Sequence, residues 1–155
     1  MLFLSNVTNR EKEIWANILL DLIVAGYFFP RVLRLEGGLA DNAGELAVLI
    51  STVIAIAIFW SILIYWLLDV GKAEAKDERD YLFEAKSALA GYHALAITIS
   101  LLVGHIILNQ TIKEIFNIEY EPLDSLKIAI YLLLALVVCA FVKDIIKLFY
   151  YRRGH

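Results

Sequence analysis

Cysteine occurs once in the 155-residue chain, at Cys139, so one copy can build neither a disulfide framework nor a paired-thiol metal site. Its simplest role is that of a small apolar packing residue. No basic stripe with interleaved aromatics is present and the net charge is −3, which argues against nucleic acid as a partner. The signatures H-E-x-x-H and G-x-S-x-G and a phosphate-binding glycine loop are missing, and with them the commonest routes to a metalloprotease, a serine hydrolase or a nucleotide enzyme. No dyad alternation over ~10-residue segments marks a membrane β-barrel. No internal repeat is visible, which gives inverted-repeat transport architectures little support.

What the chain has in abundance is apolar surface. Hydrophobic residues make up 61% of the sequence and mean hydropathy is +0.71, more than a soluble domain of this size can bury. They gather into four blocks, Ile14–Leu33, Leu46–Leu68, Ala88–Leu108 and Leu126–Val142. Each approaches the roughly 20 residues that carry a helix across ~30 Å of hydrocarbon. The fourth is the shortest and continues into an amphipathic segment, 143–151, whose aromatics and bases suit the headgroup level. The expected fold is therefore all-α: an integral membrane four-helix bundle running up-down-up-down in the lipid bilayer. Turns are read at 37–44 and 120–124, and no soluble domain is present. The opening run Met1–Asn6 is too short for a signal-peptide apolar region, so no cleavage is expected.

Orientation follows from the bases, because short loops rich in Lys and Arg stay in the cytoplasm. Arg10, Lys12, Lys72, Lys76, Arg79, Lys86, Lys143, Lys147, Arg152 and Arg153 fall on one side, and Arg31, Arg34, Lys113 and Lys127 on the other. The bias puts both termini in the cytoplasm of a multi-pass protein.

The third helix is expected to start well before lipid. Lys72 to Ser87 has helical composition, contains no proline and runs into Ala88 without a turn signal. That predicts one long helix projecting into the cytoplasm, a shape suited to meeting a partner. Small residues at Ser87 and Gly91, and at Ala90, Ala94 and Thr98, have the four-residue spacing that lets membrane helices approach closely. Packing within the bundle and a subunit interface both fit this spacing.

Polar residues inside the apolar blocks carry the functional information, since an ionisable group in hydrocarbon costs on the order of 3 kcal/mol or more unless paired, neutralised or hydrated. Asp21 stands out, seven residues into the first block, at a depth of ~10 Å. Glu13, Asn17 and Asp21 follow at four-residue intervals and share one helix face. His93 and Ser61 fall at comparable depths in the third and second blocks. An intramembrane polar site of Asp21, Asn17, His93 and Ser61 has three readings: a hydrogen-bonded clasp, a proton or small-cation pathway, and a metal site. His105 reads as interfacial. Asp21, His93 and Ser61 share the residue types of a hydrolase triad, but similar depth alone does not make one.

A second cluster lies just before the third block: Asp77, Glu78, Arg79, Asp80, Glu84 and Lys86. Asp77, Asp80 and Glu84 fall on one helix face and repel one another. Something should compensate them: internal salt bridges, bases of a neighbouring helix or subunit, or a divalent cation. For a metal, Asp21, His93 and Glu84 are the candidate ligands, and no other cofactor is expected. Arg79, Lys86 and His93 follow at seven-residue intervals on an adjoining face.

Asp77-Glu78-Arg79-Asp80, then Glu84-Ala85-Lys86 and Gly91-Tyr92 at the start of an apolar helix, resemble the loop between the second and third helices of small prokaryotic four-helix membrane proteins of uncharacterised function. The resemblance covers about 20 residues and the four-helix layout. It implies a bacterial or archaeal cytoplasmic (inner) membrane and no particular activity. The leading expectation is a non-enzymatic protein, a homodimer or an accessory subunit of another membrane protein. The alternative is a proton- or small-cation-coupled transporter or channel that uses Asp21 and His93, with Glu84 near its entrance.

Overall fold

The structure is a computed structural model, and it describes residues 8–70, 76–116 and 124–153. Four helices account for most of these: α1 Asn9–Val32, α2 Ala43–Leu67, α3 Glu78–Phe116 and α4 Ser125–Arg153. No strand occurs among the described residues. All four helices are long and apolar enough to cross a membrane.

Local chemistry sets where they begin and end. Thr8 caps α1: its hydroxyl accepts the Glu11 N–H at 3.2 Å while the Glu11 carboxylate accepts the Thr8 N–H at 3.0 Å, a reciprocal box that satisfies two otherwise orphaned donors. Gly37, at φ 91°, turns the chain after α1, a left-handed geometry that favours glycine. Asp41 then accepts the Gly38 N–H at 3.0 Å. Asp69 follows the last turn of α2 at φ 47° and ends that helix in the left-handed region.

α3 begins later than composition suggested. Lys72 lies outside the described residues, and Lys76 and Asp77 are not helical. The Asp77 carboxylate accepts the Asp80 N–H at 2.7 Å, and the Asp80 carboxylate accepts the Asp77 N–H at 3.1 Å. Two acidic side chains three residues apart thus cap the helix and set its start at Glu78. From there α3 runs 39 residues, roughly 58 Å at 1.5 Å per residue, about twice the hydrocarbon thickness. Its apolar stretch 88–108 is long enough for a crossing, and the more polar turns 78–87 precede that stretch in the same unbroken helix. α4 absorbs the amphipathic segment 143–151 without a break. The turn expected around Pro122 lies outside the described residues apart from Asp124.

Packing runs in the order α2, α1, α4, α3. α1 packs against α2 and α4, and α4 also packs against α3; no other pair of helices makes close backbone contact among the described residues. α1 is held at both ends. Val32 meets Leu49, Leu126 and Ile130 at one end, and Ile14 and Ile18 meet Leu148 at the other. Both α2 and α3 leave broad apolar flanks uncovered, such as Ile54, Ile58 and Ile62 on α2 and Leu89, Ile97 and Leu101 on α3, as lipid-facing helices do.

The small residues of α3 explain its seat on α4. Ser87 is fully buried, and a Cβ added to Gly91 would come within 3.2 Å of Lys143 Cβ and 3.3 Å of both the carbonyl oxygen and Sγ of Cys139. Ala90, Ala94 and Thr98 are half-buried along the same side. This side of α3 therefore packs within the chain, and Cys139 is one of the residues that fills it.

Candidate functional site

Charged residues from three helices converge where α1 and α3 begin and α4 ends. Asp80 receives a hydrogen bond from the Tyr151 hydroxyl and lies 3.7 Å from the Arg10 guanidinium. Beside it, Arg152 lies 3.8 Å from Glu11. Glu11 is only 8% exposed, but the Thr8 cap and Arg152 satisfy it, and no buried side-chain polar atom among the described residues lacks a partner. Phe83 stacks on Tyr150 at 5.6 Å and meets Tyr151 edge-on at 5.3 Å, so an aromatic layer supports the polar one. Lys86 caps that layer with its ammonium 5.3 Å from the Tyr150 ring centre.

The cluster predicted to need compensation receives it from within the chain. Lys76 pairs with Glu84 at 2.6 Å, and Arg79 lies 3.9 Å from Asp77. The Lys76 hydrogen bond holds the Glu84 carboxyl below the usual carboxylate range. Burial alone would push Asp80 up, but the Tyr151 hydroxyl, the Asp77 N–H and the Arg10 and Lys147 charges outweigh it and hold the carboxyl low. Glu78 is exposed.

The polar residues inside the apolar stretches separate. Asn17 accepts a hydrogen bond from the Tyr65 hydroxyl of α2 at 3.3 Å. Asp21 is half-buried on α1, and the charged groups that act on it belong to α4, Lys143 and Asp144. Ser61 donates to the Ile58 carbonyl of its own helix at 2.9 Å. His93 is exposed on α3, its ring edge-on to Tyr92 at 5.7 Å. α3 makes no close backbone contact with α1 or α2 among the described residues, and no hydrogen bond or ion pair joins Asp21 or Ser61 to His93. Asp21, His93 and Glu84 do not converge either: no group of three or more His, Cys, Asp or Glu that could hold a metal ion occurs among the described residues.

Part of the site has a signature in the local sequence. Thr8-Asn9-Arg10-Glu11 has the T-x-x-E spacing of a capping box, the signal that ties Glu11 to Thr8. Asp144 and Lys143 were visible only as headgroup-level charges. Nothing local links Tyr151 to Asp80, 71 residues apart.

Fold and site together define a multi-pass helical membrane protein whose helices are tied by a polar network at one end. Comparison with known protein families, with curated proteins and with solved structures found no match to this chain.

Proposed function

We propose that the chain is a non-enzymatic membrane protein that works as a homodimer, joined through α3, in a prokaryotic cytoplasmic membrane. The observation that carries this is the exposed face of α3. His93 and Ser100 lie within the apolar stretch, both exposed, and neither makes a side-chain hydrogen bond among the described residues. A polar group facing lipid costs free energy that a covering helix removes. Ala96, Ser100 and Gly104 follow on that face at four-residue intervals, with Ala96 and Ser100 exposed and open space around Gly104, so a second helix can come close.

A second copy fits because two-fold pairing is self-complementary and needs no other component. The helices run up-down-up-down with both termini in the cytoplasm, as the charge bias supports. The two copies then share one orientation and equal depths meet, with Ser100 beside Ser100. One neutral His93 ring can donate to the other. The polar turns 78–87 of α3 project into the cytoplasm beside the same axis, where an accessory partner would find them.

Cysteines at Ala96 and Ser100, in a Cys139→Ser background, test the dimer in native membranes. Disulfide crosslinks at these positions and weak ones at Ala90 or Ala94 are expected. Crosslinks absent at Ala96 and Ser100, with a monomer as the sole species, overturn it.

One observation favours a second reading, a proton or cation pathway. Asp21 is only half covered, and the charges that act on it, Asp144 and Lys143, belong to α4, which packs on α1. Flux into proteoliposomes that Asp21→Asn abolishes would support it, and equal flux in both proteins would eliminate the role of Asp21.

A further inference from the structure

We propose that the groove at the turn between α1 and α2 binds the headgroup phosphate of an anionic phospholipid. The cavity holds about 570 Å³, inside the range of ~300–1,000 Å³ typical of small-molecule sites. Arg31, Arg34 and Glu45 line it at the polar end, and Val48 and Thr52 line it one and two turns further along α2. The lining thus passes from guanidinium groups to an apolar helix flank, the same polarity order a phospholipid has from phosphate to acyl chain.

Three features suit an anion at the polar end. Arg31 is fixed there by its own helix: Nη1 donates to the Tyr27 carbonyl at 2.9 Å and the guanidinium lies 3.6 Å from the Tyr27 ring centre. Arg34 is exposed and makes no side-chain contact with a partner among the described residues, which leaves its fork of donors for a phosphate. Asn42 directs its amide back to the Glu36 and Gly38 carbonyls at 2.9 and 3.0 Å. The first turn of α2 therefore has no side-chain cap, and two of its residues, Gly44 and Glu45, line the groove, at the helix end whose dipole favours an anion. Glu45 opposes an anion, but two guanidinium groups outnumber one carboxylate. Free phosphate shares the headgroup chemistry and has nothing to place against Val48 and Thr52, so the lipid is the occupant that uses the whole groove.

Thermal unfolding of the full chain in neutral detergent tests this, with phosphatidylglycerol, phosphatidylcholine or inorganic phosphate added. Phosphatidylglycerol should raise the midpoint saturably and well above the other two. Arg34→Gln should shift that titration about tenfold to weaker binding, while Lys113→Gln, an exposed base outside the groove, should leave it in place. Equal responses to both lipids, an unshifted Arg34→Gln titration, or the same rise with inorganic phosphate would each overturn the proposal. Native mass spectrometry of the unaltered protein gives a readout independent of any variant. Retention of phosphatidylglycerol over phosphatidylcholine is expected, and no preference between them counts against the site.

Discussion

Gly91 of α3 lies against Cys139 of α4 so closely that a Cβ on the glycine would sit 3.3 Å from the thiol sulfur. The contact joins two helices by shape alone, with no polar partner. A leucine at position 91 cannot fit without moving Lys143 and the α4 backbone at Cys139. Gly91→Leu should lower stability in detergent by about 2–3 kcal/mol, read as a fall in thermal midpoint. Gly91→Ala should cost less, since its neighbours need to give by only a few tenths of an ångström.

Gly104, on the same helix, provides the opposite case. A Cβ there meets nothing within 4 Å, so Gly104→Leu should leave the thermal midpoint of the monomer unchanged or slightly higher, because leucine favours helix over glycine. In the proposed dimer that position lies at the contact. Analytical ultracentrifugation in density-matched detergent should find Gly104→Leu monomeric where the unaltered protein dimerises. A dimer that survives the substitution would place the contact elsewhere.

Tyr151→Phe removes the hydroxyl that Asp80 accepts and keeps the ring packed on Phe83. The loss should be about 1 kcal/mol, larger than for Phe149→Leu on the exposed side of the same turn. If the two variants melt alike, the hydrogen bond contributes nothing measurable and the aromatic layer carries the α3–α4 contact at that end.

Acid should loosen that end first. Asp80 and Glu84 are both held below the usual carboxylate range in the folded chain, so the unfolded chain binds protons more readily as pH drops through ~4. Their contribution is complete above that value and fades as pH falls towards the folded-state values. Asp80→Asn should therefore melt lower than the unaltered protein at pH 7 and converge with it in strong acid. A gap that stays constant with pH would detach the effect from ionisation.

The four helices could be read from the sequence because a bilayer demands unbroken apolar runs of a set length, and Ile14–Leu33 or Leu46–Leu68 have no other use. The start of α3 could not, because composition favoured helix on both sides of Asp77 and only the reciprocal cap with Asp80 decides between them. The polar site was half legible. Asp21 and Asn17 were marked by their cost in hydrocarbon, yet depth along a helix carries no information about which neighbour lies across from it. Asn17 therefore meets Tyr65, and Asp21 lies under the charges of α4 rather than beside His93. Tyr151 looked like a headgroup anchor and Arg152 like an orientation signal, since their pairing with Asp80 and Glu11 depends on the helix order α2, α1, α4, α3.

That order bears on how the protein is made. α4 is the last of the four helices to be synthesised and the one that touches both α1 and α3. α1 and α2 pack on each other directly, whereas α4 is the one helix on which α3 packs closely along its backbone among the described residues. Until α4 is made, the Ser87–Gly91 side of α3 therefore lacks the surface that covers it in the folded chain.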